Sequence, residues 1–392
     1  QANRTTNPAN NTGGYAFAEF LLGHPWHTTA ALAVAEGKFV RNVFHAFVDD
    51  NWKVSNKLTL LAGLRYELTP PFTNTLGNYF TVHIPTIDYS LNQPQSNYPT
   101  LARQGDDCTD PYAGLSLRWT VTPVACAKAL GLNNNLRETK YKNFAPRLGA
   151  TYALGDKTVI RTGVGLYYME DIGNAEYFDM ARITAPRVDT QASATTALSW
   201  ANAAPGGGTA SVPPTLSWAA AYSHETPRTW QYLVNVERQL SANWSMELGY
   251  LGSQSRHLYG FQTLNQAGPG PLDSISTRVP YKNFGVISYV TDQNKGHYNA
   301  LSLRVTRRYA NGFSLNTSYT FAKSIDNSSG TRTQGYDTLF PQDSRCLECE
   351  TGPSSFDVRH RWVLGVVYEL PFGKGKRVNI NNAVLDGILG GW

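Results

Sequence analysis

No stretch of this 392-residue chain stays apolar for the roughly 18 residues that a membrane-spanning helix requires, which excludes a helical membrane protein. Charge is sparse as well: Asp, Glu, Lys and Arg make up 16% of the residues, where an average domain carries about a quarter. The signatures of common catalytic sites are missing too. There is no HExxH, no GxSxG, no Walker loop and no GxGxxG behind a strand, so metalloprotease, hydrolase, nucleotide and dinucleotide chemistry lack their residues. We expect no enzyme, no catalytic residue and no cofactor. Basic residues exceed acidic ones, 34 to 29, but they are scattered one or two at a time. Nucleic-acid binding needs them gathered on one face, so no nucleic-acid partner is expected.

Cysteine is scarce, with four residues in two close pairs, Cys108 with Cys126 and Cys346 with Cys349. Two disulfides in an oxidising compartment are the simplest account. A zinc site from all four is the alternative, but only the second pair has metal-ligand spacing, and no metal is expected.

What the chain has in plenty is aromatic and turn-forming residues: 22 tyrosines, 9 tryptophans and 34 glycines. With many short alternating segments they point to an all-β protein. The hairpin over 39–68 sets the pattern. Leu58, Leu60, Ala62, Leu64, Tyr66 and Leu68 share one face; Thr59, Leu61, Gly63, Arg65 and Glu67 share the other. Val40, Phe44, Ala46 and Val48 likewise oppose Arg41, His45 and Asp49, with Asn42 an exception on the apolar side. Strand side chains alternate between faces, so the hairpin has one greasy and one wet surface. A soluble sheet shows this when one face packs on a core, a membrane barrel when lipid lies outside and water within.

One rhythm then repeats. Strands are expected near 57–68, 145–154, 158–169, 228–240, 244–254, 296–309, 313–326 and 356–371, with further ones near 26–35 and 386–392. Tight turns at 54–56, 155–156, 241–243 and 310–312 alternate with long loops near 69–144, 170–227, 255–295 and 327–355. In an up-and-down meander every second connection lies at the same end, so all the short turns share one end and all the long loops the other. Aromatics cluster near strand ends, among them Trp52, Tyr152, Trp244, Tyr309, Phe313 and Phe372 by the short turns. Bacterial outer-membrane barrels combine these features. The expected architecture is an all-β, antiparallel up-and-down transmembrane β-barrel with long extracellular loops, in outer-membrane lipid. Residues 1–25 read as an arm with a short apolar segment at 15–23, and 26–392 as the barrel part. The start at Gln1 and the stop at Trp392 directly after an apolar run read as an internal fragment of something longer.

The densest charged constellation is Asp343, Glu350, Asp357, Arg359, His360 and Arg361. It reads either as a substrate or cation contact near a barrel mouth, or as salt-bridging that pins a long loop to the wall. Asp49 and Asp50 read as solvated carboxylates at a strand end, with cation binding as the alternative.

Several stretches together resemble one family. Phe47-Val48-Asp49-Asp50-Asn51-Trp52-Lys53-Val54, then Leu58-Thr59-Leu60 and Gly63-Leu64-Arg65-Tyr66-Glu67, resemble the barrel of TonB-dependent outer-membrane receptors, and within them the Oar-like group. Phe144-Ala145-Pro146-Arg147-Leu148-Gly149, Tyr298-Asn299-Ala300-Leu301 and Tyr319-Thr320-Phe321-Ala322-Lys323-Ser324-Ile325-Asp326 are similar to later strands. So are Phe356-Asp357-Val358-Arg359-His360-Arg361 and Tyr368-Glu369-Leu370-Pro371-Phe372-Gly373. The resemblance implies a barrel of about 22 strands, wide enough for a plug. It also implies import of an unidentified ligand, driven by an inner-membrane TonB complex that acts through the plug region. About eleven strands, half such a barrel, are expected here, without the plug. Two other readings stay open: a surface adhesion or scaffold barrel without transport, and a soluble secreted β-protein that binds glycans through exposed aromatics.

Overall fold

The computed structural model describes residues 6–7, 12–13, 16–24, 27–31, 37–77, 79–109, 124–169, 187–191, 198–201, 216–282, 284–330 and 340–390. Its main feature is an 11-stranded sheet. Nine of these strands form an antiparallel meander: β1 (Phe44–Lys53), β2 (Leu58–Leu68), β3 (Phe144–Ala153), β4 (Thr158–Tyr168), β5 (Arg228–Gln239), β6 (Trp244–Thr263), β7 (Ile287–Ala310), β8 (Phe313–Asp326) and β9 (His360–Tyr368). Each pairs with its chain neighbours, and the sheet does not close on itself. The two remaining strands are short: Gly352–Pro353 borders β8 ahead of β9, and Leu216–Ala220 lies parallel to the start of β7.

The tight turns do stand side by side. The Lys57 carbonyl of the first accepts the Ala153 N–H at 2.8 Å, Lys157 O of the second accepts Gln239 N–H at 2.8 Å, Asn243 O of the third accepts Arg308 N–H at 2.9 Å, and Gly312 O of the fourth accepts Glu369 N–H at 2.7 Å. One row of backbone hydrogen bonds thus crosses the whole short-turn end. At the fourth turn Asn311 and Gly312 take φ of 52° and 73°, the positive-φ pair that matches the right-handed twist of the flanking strands.

Pairing register carries face identity from strand to strand, because residues directly opposite each other point the same way. One row runs Trp52, Leu60, Ala150, Thr162, Val234, Tyr250, Leu301, Phe321 and His360. A neighbouring row on the opposite face runs Lys53, Thr59, Thr151, Arg161, Asn235, Gly249, Ser302, Thr320 and Arg361. Among the described residues nothing covers the apolar face: Leu148 is 57% exposed and Trp362 68%. An apolar face extending across nine strands is far larger than a water-soluble surface tolerates, and lipid is the solvent it suits. The wet face carries its own bonds, with Arg161 on Glu237 (2.7 Å), Asn235 donating to Glu247 (2.6 Å), and Arg304 3.6 Å from Glu247.

The packed core lies elsewhere, beyond the long-loop ends of the strands. β6 and β7 run 20 and 24 residues, about twice the 9–11 residues a tilted strand needs to cross a bilayer. Their excess forms a ribbon projecting past the wall. Around it gather Leu216–Ala220 and a three-stranded sheet of Phe80–His83, Thr100–Arg103 and Val124–Cys126. Together they make a cap with a dry interior.

Four expectations change. The strand expected over 26–35 forms at His27–Ala31 but pairs with Arg187–Gln191, apart from the wall. The first wall strand begins only at Phe44, since Phe39–Val40 turns away to pair with Thr73–Asn74. The loop expected over 255–295 is strand at both ends, since β6 runs on to Thr263 and β7 begins at Ile287. The strand expected over 386–392 is a helix, Ala383–Leu389, because the Asn382 side chain accepts the N–H groups of Val384 and Leu385 and caps the first turn. The short apolar segment forms a helix at Ala16–Leu21. Most of the loop over 170–227 lies outside the described residues.

The face assignment has a direct test. Leu248 sits mid-wall on the apolar face between Val236 and Leu303, and Ser302 on the wet face beside Gly249. Leu248→Arg is expected to destabilise the folded barrel by about 2–4 kcal/mol in a denaturant titration in lipid vesicles, and Ser302→Arg by far less. Equal losses would refute the assignment.

Candidate functional site

The long-loop end holds the features that could meet a ligand, and its rigidity starts in the projecting ribbon. Gly260–Thr263 of β6 pair with Ser288–Thr291 of β7, and the other edge of β7 takes Leu216–Ala220. Ile287, Tyr289, Phe284, Tyr281 and Leu264 pack with Phe80, Val82 and Leu101 in one cluster; Val290 and Phe261 pack with Tyr79, Ala102 and Leu136 in a second. The ribbon is therefore buried on both faces. Ile287 and Val290 are 0% exposed, against the open leucines of the wall. Each such side chain contributes about 1.5–3 kcal/mol on burial, so the cap has a core of its own.

Buried polar side chains lock its loops. Asn265 donates to the carbonyls of Tyr281 (3.1 Å), Phe284 (2.9 Å) and Gly285 (2.9 Å), and accepts the Tyr281 N–H at 2.8 Å. Asn97 closes the 86–97 loop through both backbone groups of Thr86 and the side chain of Gln93. The Tyr89 hydroxyl donates to Gln262 at 2.8 Å. Burial pushes the Tyr281 phenol up to about 12, and pushes Tyr89 and Tyr289 up as well. All three are neutral hydrogen-bonding groups at physiological pH.

Between wall and cap lies a small mouth pocket lined by Arg41, Thr69, Pro70, Arg137, Glu138, Lys140, Met169, His224 and Tyr259. Six chain segments converge there, each from the long-loop end of a different part of the wall. Arg137 donates to His224 Nδ1 at 2.7 Å while His224 Nε2 donates to the Val290 carbonyl at 3.1 Å, joining pocket to ribbon through two buried side chains. Lys140 bridges Glu138 (2.7 Å) and Glu225 (3.2 Å). Hydrogen bonds from Lys140 and Ser223 hold the Glu138 carboxyl below the usual carboxylate range. Beside the pocket β6 bulges. His257 takes a φ of 58° within the first of two register shifts, and its ring lies 3.2 Å from Arg228 and 3.6 Å from Asp292. Positive, negative and phenolic groups thus surround the mouth, suited to hydrogen-bonding a polar ligand. Among the described residues no cluster of three or more His, Cys, Asp or Glu could hold a metal ion.

The expected charge constellation separates into two ties. Asp343 takes the Arg345 side chain at 2.8 Å and backbone at 3.0 Å, which holds its carboxyl low, and Glu350 accepts the Gln342 N–H at 2.8 Å. These close the loop around Cys346 and Cys349, which are joined, as are Cys108 and Cys126 within the cap. That loop is sewn to the cap by Ser344 and Gln266, and to β7 by Lys295 on Glu348. Separately, Asp357 accepts the Ser324 N–H at 2.7 Å with Arg359 3.6 Å away, fastening the approach to β9 onto β8. His360 lies on the apolar face, bonded to Tyr319 at 2.7 Å, and Arg361 on the wet one. Asp49 and Asp50 point to opposite faces, opposite Gly63 and Ala62, so they cannot share a cation. Asn265, Tyr289 and the Arg137–His224 pair went unnoticed in the sequence. The β-branched and aromatic run from Val286 to Thr291 is the signal that marks the ribbon.

A family model described as an outer membrane beta barrel domain matches residues 1–392. No curated protein matches. Among solved structures, the chain is similar to the FrpB iron transporter from Neisseria meningitidis, at 8% identity and a TM-score of 0.39, covering 85% of this chain and 31% of that one. It is also similar to the outer membrane transporter YddB from Escherichia coli (12%, TM-score 0.39, 83% and 39%). A third is the ferric yersiniabactin uptake receptor FyuA from Yersinia pestis (10%, TM-score 0.35, 84% and 32%). The chain thus spans about a third of the length of such structures.

Two outcomes test the cap. Asn265→Ala leaves the Tyr281, Phe284 and Gly285 backbone groups unpaired, so amide exchange over 281–287 is expected to accelerate in hydrogen–deuterium mass spectrometry while β3–β5 stay protected; unchanged exchange would mean that the clamp carries no load. Tyr281, Tyr289 and Tyr89 ionise later in the folded cap than in an opened one. The Tyr281 contribution is intact below pH 10 and lost as pH rises through about 12, and those of Tyr89 and Tyr289 are lost on the same alkaline side. The latest-rising part of the tyrosinate absorbance should therefore climb together with cap exchange, and a tyrosine titration that reaches completion with the cap still protected would contradict the burial.

Proposed function

The chain belongs to the outer membrane beta barrel domain family and lies in the bacterial outer membrane, and from that premise we propose that it forms the wall and ligand-capturing mouth of a TonB-dependent importer of the Oar-like kind. The observation that carries the reading is the division of the molecule: an open wall with an apolar outer face, and at its long-loop end a cap with a separate dry core. A cap folded this firmly is more than a barrel needs in order to sit in lipid. It holds the mouth pocket of Arg41, Lys140, His224 and Tyr259 in fixed geometry above the polar face of the wall. Preformed pockets with a few placed polar groups are what ligand capture requires.

In this reading the ligand meets the mouth first and then passes along the face bearing Arg161, Glu237, Glu247 and Arg304. A plug from the rest of the protein couples passage to the inner-membrane TonB complex. The charge ties at Asp343, Glu350, Asp357 and Arg359 hold the fourth loop in place and do not touch the ligand. A surface adhesion barrel is the competing reading; the soluble glycan-binding one is set aside by the outer-membrane family.

The test uses cells expressing the complete protein, and a variant with residues 264–286 replaced by a short Gly-Ser turn. Radiolabelled ferric siderophores, cobalamin and maltooligosaccharides serve as probes. One of them is expected to accumulate, to stop accumulating with a protonophore, and to be lost in the variant whose barrel still shows heat-shifted gel mobility. Surface binding of cells or matrix with no energy-dependent accumulation of any probe would favour the adhesion barrel.

A further inference from the structure

The segment after β9 leaves the wall at the short-turn end and ends in the helix Ala383–Leu389, whose exposed side chains include Val384 (71%) and Ile388 (62%), with Leu385 and Leu389 beside them. These positions fall on one helical stripe. On the other side, Asp386 accepts the Lys374 N–H at 2.8 Å, so the polar side of the helix is tied back to the preceding turn and the apolar side is left outward. The turn is itself fastened. Val378 donates to the Pro371 carbonyl at 2.8 Å, Gly373 donates to Val378 O at 3.2 Å, and Glu369 takes both the Tyr309 hydroxyl and Lys376. Residues 369–389 therefore form a strap held against the fourth tight turn.

We propose that this strap lies in the headgroup layer of the periplasmic leaflet, with its apolar stripe among the acyl chains and Lys374 and Arg377 on anionic phospholipid. Two observations choose this occupant. The strap follows directly on Tyr368, which lies in the lipid-facing row of β9. Beside it Arg307 lies over the rings of Trp244 (5.6 Å) and Phe313 (4.7 Å), and Phe313 meets Tyr368 edge-on at 6.2 Å, a Trp and Arg arrangement suited to a membrane interface. Its charge is also complementary: with Lys376 held on Glu369, the side chains of Lys374 and Arg377 are exposed and lie within four residues of one another. A helix with an apolar stripe and a basic flank rests in the plane of the interface, with its apolar side a few ångströms below the headgroups.

The test places a nitroxide label on the complete protein in phosphatidylglycerol-containing vesicles. All four cysteines of this chain are in disulfides, so with any cysteine elsewhere in the complete protein replaced by Ser an introduced one is the single free thiol. Val384→Cys and Ile388→Cys are expected to collide more with oxygen than with a water-soluble nickel chelate. Gly387→Cys, where an added side chain meets open space, is expected to show the reverse. Replacing Lys374 and Arg377 with Gln, or the vesicles with phosphatidylcholine alone, should shift the labels at 384 and 388 toward water. Leu248→Cys on the wall is the reference for lipid contact, and heat-shifted gel mobility confirms folding in each variant. Labels at 384 and 388 that meet water, or that are shielded from both reagents by protein, overturn the strap while the Leu248 label upholds the wall; depth insensitive to charge overturns the phospholipid contact.

Discussion

The face assignment of the whole wall rests on one row of backbone hydrogen bonds. The bonds from Ala153, Gln239, Arg308 and Glu369 to the carbonyls of successive tight turns fix the relative register of four hairpins at once. Register in a sheet has a period of two, and a slip of a single residue would turn every leucine of a strand to the wrong face. In lipid such a slip is costly twice over, because it exposes Arg or Glu to hydrocarbon and leaves strand-end N–H groups without water to pair with. The turns are where this is prevented. Asn311 and Gly312, with their positive φ angles, leave β7 and β8 a single way to meet.

This also explains what was legible in the sequence and what was not. The tight turns, the alternation and the side on which the long loops lie are local properties, written in Asn-Gly, in Gly155, and in runs such as Trp230-Gln231-Tyr232-Leu233-Val234. The cap is a different kind of object. Tyr79, Leu101, Leu264 and Val290 come from segments up to some two hundred residues apart, and only their contact makes them a core. No periodicity announces it. The ribbon from Ile287 to Thr291 is buried on both sides, so it lacks the alternation that revealed the wall strands, and reads as loop. Asn265 reads as a polar loop residue until its three carbonyl acceptors and one donor are in place. The charge constellation is divided for a different reason. Asp343 and Asp357 are close in sequence, but the loop between them places each on its own backbone partner.

Two solvents therefore stabilise two parts of one chain. The wall keeps its apolar side chains outermost, at full advantage only in lipid; the cap buries its own and is built for water. β6 and β7 belong to both, and they change character within a few residues at the bulge around His257. A regular ladder would carry the twist of the wall straight into the cap. The two register shifts interrupt it, and the polar ties of Arg228, His257, Asp292 and Glu225 take over at that point. The buried Arg137–His224 pair then holds the 137–140 segment to the Val290 carbonyl of the ribbon. The mouth pocket consequently moves with the cap and the wall together. A ligand held there meets a surface whose shape is set by packing on one side and by membrane-anchored strands on the other, so its recognition can vary with loop residues such as Lys140 and Tyr259 without disturbing the register on which the wall depends.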